Sequence, residues 1–309
     1  MSSSQPDHVF ERWRRELDGW GIPAEILAKA PESPWSFPVE LFQVREGIDE
    51  ERESSPSIAR AREALPEGGS VLDVGVGGGA ASLPLADRAG LIVGVDRSEE
   101  MLASFLDAAL ERGVAAEQIV GGWPDVEADT PACDVVVCHH VLYNGTDLER
   151  FVPPLDAHAG RRVVIEMTPT HPLVWMTDLW QRFHGLERPS GPTAEDALEG
   201  IRWLGFDADR QDHQVESSAG FARREDAIAL VRRRLCLPKE RDDEIAEAIG
   251  GRLVERDGLW STGPPRETLV TIWWDAARRS SVNAPGAPRS RARRSLRSRD
   301  RPSGRSVPR

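Results

Sequence analysis

The sequence predicts an α/β protein whose core is a doubly wound, mostly parallel, seven-stranded sheet with helices on both faces. Short apolar runs alternate with segments of helical periodicity between residues 57 and 275, a rhythm typical of βαβ units. A glycine-rich turn directly follows the first apolar run. A mean hydropathy of −0.42 and a charged fraction of 29% indicate a chain with an extensive polar surface.

Seven strands are expected in chain order, of which the sixth has the weakest pattern. They lie near Ser70–Val74, Leu91–Val95, Gln118–Val120, Asp134–Cys138, Arg162–Glu166, Asp207–Asp212 and Leu269–Trp274. One helix begins at Ser57 and ends at the Pro66 turn before the first strand. The other helices are expected near Ala80–Arg88, Glu99–Arg112, Leu148–Ala157, Pro172–His184, Thr193–Trp203, Arg224–Leu235 and Lys239–Leu253.

These patterns divide the chain into three parts. Residues 1–56 mix Trp, Pro and charge in short amphipathic segments and predict an N-terminal helical cap or lid rather than core. Residues 57–275 form the main domain, in which residues 222–258 are a helical insertion before the last strand. Residues 276–309 are rich in Arg, Ser and Pro, which predicts a disordered tail.

The net charge of −12 is unevenly distributed. The tail holds eleven arginines and one aspartate, so it carries +10 and the rest of the chain carries −22. A body this acidic repels phosphate backbones, which argues against nucleic acid as a substrate. The tail can be interpreted as an arm for an acidic partner or as a solvated extension, and its composition favours the extension.

Composition also restricts the compartment. No apolar run approaches the roughly 20 residues of a membrane helix, and the first residues lack the pattern of a secretory signal. We therefore expect a cytoplasmic protein without a membrane partner. Cys133, Cys138 and Cys236 form no CxxC pair, which predicts free thiols rather than disulfides or a thiolate zinc site.

The most informative segment is VLDVGVGGGAAS, residues 71–82. Gly75, Gly77 and Gly79 allow the backbone to turn tightly and approach a ligand, which the amides of a following helix would also face. Gly75, Gly77 and Ala80 also match the GxGxx(G/A) fingerprint of dinucleotide-binding proteins. An NAD(P)-dependent oxidoreductase is therefore one candidate function for this chain.

Two carboxylates help to distinguish a dinucleotide site from a site for another cofactor. Asp73 lies inside the first strand, where a dinucleotide enzyme usually has an apolar residue, and a carboxylate there suits a ligand with an ammonium group. Asp96 ends the second strand, 17 residues after Gly79, and is placed to accept both hydroxyls of a ribose. Singly, Asp73 could hydrogen-bond the glycine turn and Asp96 could cap the next helix through Ser98. Their joint spacing favours a cofactor site.

These motifs resemble those of the class I S-adenosylmethionine-dependent methyltransferases, whose signatures are VLDVGxGxG, VDxSxxML and a DVVxxxxVL strand end. Here they read VLDVGVGGG, VDRSEEML and DVVVCHHVL, and the resemblance covers Ser57–Asp275. It implies a Rossmann-like fold and S-adenosyl-L-methionine as cofactor. The residues that would contact the cofactor are Asp73 and Gly75, Gly77 and Gly79 at the methionine part, Asp96 at the ribose, Arg97 and Met101 at the adenine, and Cys138 and His139 near the sulfonium.

The sequence departs from this family pattern after the third strand. Many members have an acid there that binds the adenine amino group, whereas this chain has Gly122 and Trp123. Trp123 could stack on the purine, or Asp125 could supply the acceptor. An equally good interpretation makes Trp123 a packed core residue.

Methyl transfer from a sulfonium is an in-line displacement that needs alignment, a dry site and, for some acceptors, a general base. Candidate bases near the carboxyl edge of the sheet are His139, His140 and His171, because imidazole transfers protons near neutral pH. Adjacent strand residues point to opposite sides, so we expect one of His139 and His140 to face the cleft. No metal-binding spacing accompanies them, and no metal is expected.

Motifs that would name a macromolecular acceptor are missing. The Pro-Pro-aromatic turn of enzymes that methylate amino groups in DNA and protein is replaced by HHVLYN, and Cys133 follows Ala132 instead of the proline typical of cytosine C5 enzymes. A small molecule with an O-, N- or C-acceptor is therefore expected. A noncatalytic cofactor-binding protein is the second alternative.

Overall fold

The alternating apolar runs form one large sheet. The computed structural model describes residues 6–34, 55–216, 220–256, 258–262 and 266–276. Its strands are β1 Gly69–Val74, β2 Ala89–Asp96, β3 Ala115–Val120, β4 Cys133–His139, β5 Ala159–Met167, β6 Asp209–Glu216, β7 Val254–Arg256, β8 Leu259–Ser261 and β9 Arg266–Asp275. Seven of them pair in the order β3-β2-β1-β4-β5-β9-β6, and β9 is antiparallel to both neighbours. The predicted sheet is confirmed.

Helices cover both faces of this sheet. They are α1 Pro6–Gly19, α2 Ala24–Leu27, α3 Pro56–Ala64, α4 Glu99–Glu111, α5 Leu148–His158, α6 Thr177–His184, α7 Ala194–Trp203, α8 Arg224–Arg234 and α9 Asp242–Ile249. Helices α1, α5 and α7 contribute buried residues to the core on one face. Helices α3 and α4 contribute to the core on the other face. No helix in the described ranges is long and apolar enough to cross a membrane.

The first helix belongs to the core, which corrects the expectation that residues 1–56 are only a cap. Trp13 is fully buried and its indole Nε1 donates to the Gly145 carbonyl at 2.8 Å. Arg12 Nε donates to the Asp196 carboxylate at 2.6 Å, which ties α1 to the start of α7. An indole of this size stabilises the fold most when it is fully removed from water.

The helix predicted at Ala80–Arg88 is wrong. The chain after the glycine turn forms a single 3₁₀ turn at Leu83–Leu85, held by bonds such as Leu85 N to Ser82 O at 2.9 Å. Pro84 removes one helical donor, and the preceding glycines lower helix propensity. The glycine turn therefore lacks the regular helix N-terminus that the sequence suggested.

The insertion between β6 and β9 contains the two predicted helices, α8 and α9, and a β7–β8 hairpin that the sequence analysis missed. Together with α6 these helices enclose a third apolar cluster, against which Ile22 and Ile26 of the N-terminal segment pack. Arg232 pairs with Glu32 at 2.6 Å. The insertion and the residues after α1 are therefore packed against each other.

Three further predictions concern the cysteines, the Pro-broken stretch and the C-terminal tail. Cys133, Cys138 and Cys236 are free thiols, as predicted, and the structure shows that all three are buried. The Pro-broken stretch that follows Pro34 and the tail beyond Ala276 lie outside the described residues.

Candidate active site

The glycine turn after β1 is fixed by close packing. Gly75 N and Val76 N donate to the Val95 carbonyl at 2.8 and 3.0 Å. Gly75 has φ of +77°, and a Cβ there would lie 2.2 Å from Val141 Cγ2. Gly77 has φ of +51°, but a Cβ on it would meet no atom within 4 Å. The turn therefore packs against β2 and the end of β4 while Gly77 borders open space.

Asp73 lies at the inner end of this turn and is fully buried. Its Oδ2 accepts a hydrogen bond from Ser82 Oγ at 2.6 Å, whereas Oδ1 has no hydrogen-bond partner among the described residues. Burial raises the pKa of Asp73 to about 7, and the nearby charge of Asp96 adds to this rise against the Ser82 hydrogen bond. Such a carboxyl lacks a cationic partner, and a ligand ammonium group would supply one.

Asp96 ends β2 and is engaged by two backbone amides. Gly77 N donates to Oδ2 at 3.0 Å and Ser98 N to Oδ1 at 2.9 Å. Ser98 itself caps α4 by accepting from Met101 N at 3.3 Å. The interaction of Asp96 with the start of the next helix is thus present, through Ser98 N. The bond from Gly77 N orients the carboxylate toward the glycine turn.

The residues expected around the adenine are divided between surface and core. Arg97 is exposed and lies over Gly122, where a Cβ would be 2.2 Å from the guanidinium Nε. Met101 is half-buried on the first turn of α4. Trp123 is 6% exposed and its Nε1 donates to the Phe151 carbonyl at 3.1 Å. This favours the packed interpretation of Trp123.

Asp125, the other adenine candidate, is exposed and pairs with Arg150 at 2.6 Å. Cys138 is fully buried in β4, and burial raises the pKa of its thiol above the ordinary value. A buried, protonated thiol can act as an apolar wall but not as a nucleophile.

At the carboxyl end of β4 the two adjacent histidines approach one carboxylate. His139 Nδ1 lies 3.8 Å and His140 Nε2 3.4 Å from Glu166 Oε1. Both side chains approach the same carboxylate, although strand alternation would direct them to opposite faces of the sheet. His140 follows the last strand residue and has φ of +59°, so the alternation of a strand no longer applies to it.

Two further groups reach Glu166 from other elements. Ser57 Oγ, in the first turn of α3, donates to Oε2 at 2.5 Å, and His213 Nε2 of β6 lies 3.9 Å from Oε2. We call Glu166, Ser57, His139, His140 and His213 the Glu166 cluster. His213 is not among the residues predicted from the sequence, because the expected sixth strand ends at Asp212. The polar run that continues to Glu216 is the signal that could have extended this strand.

Electrostatics in this cluster favour the ionised carboxylate. Burial of Glu166 opposes ionisation, but the charges of His139 and His140 and hydrogen bonds from His140 and Ser57 outweigh it and hold the pKa of Glu166 below its ordinary range. Burial lowers the pKa of His213, against the charges of Glu166 and Asp212. No group of three or more His, Cys, Asp or Glu in the described ranges could hold a metal ion.

The third candidate base has a different environment. His171 is 9% exposed and stacks on Trp20 with ring centroids 4.3 Å apart. Its Nδ1 accepts from Leu173 N at 3.3 Å, and Tyr143 lies edge-on to the ring. Burial lowers the pKa of His171 to about 4, so the ring is neutral near pH 7.

The cofactor implied by the sequence motifs fits these residues. The Oδ1 of Asp73, which no described residue contacts by a hydrogen bond, suits an ammonium group, and the space beside Gly77 leaves the backbone approachable. Asp96 at the end of β2 is at the position expected for a ribose-binding carboxylate.

A known protein family matches part of the chain. Residues 71–155 match a family described as Methyltransferase domain, a stretch that starts in β1 and ends in α5. No curated protein sequence matches the chain.

Solved structures similar to the chain include three with low sequence identity. The YcgJ protein from Bacillus subtilis is 14% identical with a TM-score of 0.46, covering 71% of this chain and 97% of that one. Magnesium protoporphyrin IX methyltransferase from Synechocystis PCC 6803 with bound SAH is 17% identical with a TM-score of 0.44, covering 86% and 94%. Precorrin-6y C5,15-methyltransferase from Geobacter metallireducens GS-15 is 13% identical with a TM-score of 0.43, covering 77% and 99%.

The sheet order and the matched segment define a Rossmann-like methyltransferase domain. This partial match agrees with the resemblance of the sequence motifs to the class I S-adenosylmethionine-dependent methyltransferases, a family whose cofactor is S-adenosylmethionine.

Proposed function

We propose that this methyltransferase acts on a small molecule and binds its cofactor through Asp73, Gly75, Gly77, Gly79 and Asp96. The observation that carries the proposal is the buried Asp73 carboxyl, whose Oδ1 has no partner in the described part of the chain and lies next to a glycine turn with open space beside it. An unpaired buried carboxyl costs free energy unless a ligand completes its hydrogen bonds. The ammonium group of the cofactor would do so.

The insertion and the N-terminal segment support a small acceptor. Residues after α1 pack against α8 through Ile22, Ile26 and the Glu32 pair with Arg232, and Arg234 Nη1 donates to the Pro34 carbonyl at 2.8 Å. We propose that these segments together form a lid over the substrate cleft. A closed lid favours a compact acceptor and a dry site.

Calorimetry tests the cofactor. The purified chain should bind S-adenosylmethionine and S-adenosylhomocysteine, and Asp96→Ala should weaken binding by about 1.5–3 kcal/mol because it removes hydrogen bonds to a charged acceptor. Asp87→Ala is the matched control, since this exposed aspartate pairs with Arg62 on the surface. Tight binding of NADH without binding of either sulfur ligand would support the oxidoreductase alternative instead.

Catalysis needs its own test, because a noncatalytic cofactor-binding protein would pass the calorimetric one. Metabolite extracts from cells with and without the protein should differ by products that have gained one methyl mass. Bound cofactor without any such product would favour the noncatalytic alternative.

A further inference from the structure

The Glu166 cluster brings four elements together around one carboxylate. Cross-strand pairing places His139 opposite Glu166, and Glu166 opposite Thr271 of β9, so these side chains share one face of the sheet. The N-terminus of α3 covers this face through Ser57. A carboxylate that is 7% exposed and faces several imidazoles is arranged to stabilise positive charge on one of them.

Exposure singles out His140 among these imidazoles. Its side chain is 48% exposed, against 10% for His139 and 13% for His213. Its backbone N donates to the Glu166 carbonyl at 2.7 Å, so the left-handed conformation of His140 is anchored to β5. His140 is therefore the member of the cluster that can reach a substrate.

The position of His140 relative to the cofactor site follows from its neighbour. Val141 packs against Gly75 of the glycine turn, so His140 lies one residue from a side chain in contact with that turn. With Nε2 directed at Glu166, a proton on Nε2 would be held by the carboxylate. The lone pair would then be on Nδ1, on the other side of the ring.

We propose that His140 is the general base of methyl transfer, that Glu166 is its positioning residue, and that the acceptor is a hydroxyl compound. The proposal rests on the proposed function. In the step, the acceptor oxygen forms a bond to the methyl carbon while the carbon–sulfur bond breaks and its electron pair goes to sulfur. The hydroxyl proton goes to His140 Nδ1, and Glu166 stabilises the resulting imidazolium.

The class of acceptor follows from how much a general base increases the nucleophilicity of the accepting atom. A phenolic hydroxyl with a pKa near 10 is almost fully protonated at neutral pH, so its oxygen gains nucleophilicity when a base removes the proton. A neutral amine attacks through a lone pair that it already has, and a carboxylate is already ionised. Among a hydroxyl, a neutral amine and a carboxylate, the hydroxyl therefore gains most from an imidazole paired with a carboxylate.

The experiment measures S-adenosylhomocysteine release with phenols of graded acidity, aliphatic alcohols, amines and thiols over a pH series. For a weakly acidic phenol, His140→Gln should lower kcat by about 10²- to 10⁴-fold, and by much less for a phenol that is already ionised. His8→Gln, an exposed histidine on α1, should change neither rate. Calorimetry should show unchanged S-adenosylhomocysteine binding for all three proteins.

Glu166→Gln tests the positioning role, because it keeps the side-chain shape and removes the charge. We expect a lower kcat with little change in KM, and a kcat inflection displaced to lower pH. A readout independent of activity is an NMR titration: the pKa of His213 should fall further, since the carboxylate that opposes the effect of burial is gone.

Several outcomes would overturn the proposal. These are full activity of His140→Gln on the weakly acidic phenol, an equal loss for all phenols, or S-adenosylhomocysteine release with amines or thiols but with no hydroxyl compound. Absence of release with every hydroxyl compound would overturn it as well. Failure of the wild-type chain to bind either sulfur ligand would instead contradict the proposed function itself.

Discussion

Asp73 combines full burial with a carboxyl oxygen that has no partner among the described residues. The folded protein holds the proton of Asp73 up to about pH 7, whereas an unfolded chain releases it near pH 4. Folding is therefore favoured by this group below pH 4, and that contribution is lost as the pH rises through 7. A cationic ligand bound beside Asp73 would offset the free-energy cost of ionising this buried carboxyl.

Asp73→Asn should remove this pH dependence. The free energy of unfolding of the ligand-free wild type, measured relative to the variant, should fall by on the order of 4 kcal/mol between pH 4 and pH 8. Urea unfolding at a series of pH values measures the difference. Asp87→Asn, at an exposed carboxylate paired with Arg62, serves as control, and a wild-type difference that is flat with pH would contradict the assignment.

Gly77→Ala should separate backbone strain from ligand contact. Gly77 and Gly113 both have positive φ, +51° and +70°, and a Cβ at either would meet no atom within 4 Å. Each alanine variant should lose about 1 kcal/mol of stability from the left-handed conformation. Only Gly77→Ala should also lose cofactor affinity, because its methyl group occupies the space that the ligand needs.

Thermal unfolding and calorimetry on the two glycine variants give both quantities. Equal cofactor affinity in Gly77→Ala and Gly113→Ala would show that the space beside Gly77 is not used by the ligand.

Among the elements, α1 is the one whose sequence pattern predicted a surface position and whose structure is buried. The segment resembles a surface amphipathic helix, yet Val9 and Trp13 have no exposed area. It packs on α5 and α7, which are far from it in the sequence. The helix is therefore part of the core on this face of the sheet, although it precedes the segment of alternating strands and helices.

Trp13→Ala should lower the free energy of unfolding by about 3–5 kcal/mol, because it leaves a cavity and an unpaired Gly145 carbonyl. Trp203→Ala is the matched control, since Trp203 is 46% exposed and its removal creates no cavity. Chemical denaturation of both variants measures the contrast. Equal losses would place α1 outside the core.

For the whole molecule, the last strand, β9, marks the boundary between the sheet and the arginine-rich tail. Ala276 N donates to the Arg161 carbonyl at 2.8 Å, and Asp275 pairs with Arg162, so the sheet is complete at that point. Removal of residues 277–309 should leave the melting temperature and cofactor affinity unchanged at high salt. Any stabilisation by attraction between the arginine-rich tail and the acidic body should weaken with ionic strength, since charges are screened beyond about 10 Å at 0.1 M salt.

Differential scanning calorimetry of the full chain and the truncated chain tests this prediction at two salt concentrations. A truncation that lowers the melting temperature by several degrees at high salt would show specific packing of the tail.

The sequence by itself determined the seven strands of the large sheet, the glycine turn and the placement of Asp73 and Asp96, because each depends on local periodicity or on short spacing along the chain. It also determined that β4 ends at a polar pair, His139 and His140. These features depend on neighbours within a few residues, so a single sequence contains them.

Only the tertiary structure decided which polar groups meet. Ser57 and Glu166 are 109 residues apart in the chain, and His213 reaches the same carboxylate through the pairing of β6 with β9. The left-handed conformation of His140 redirected a side chain that strand alternation had placed elsewhere. Such contacts depend on sheet order and on the packing of α3, which local patterns do not encode because they arise from burial between distant segments.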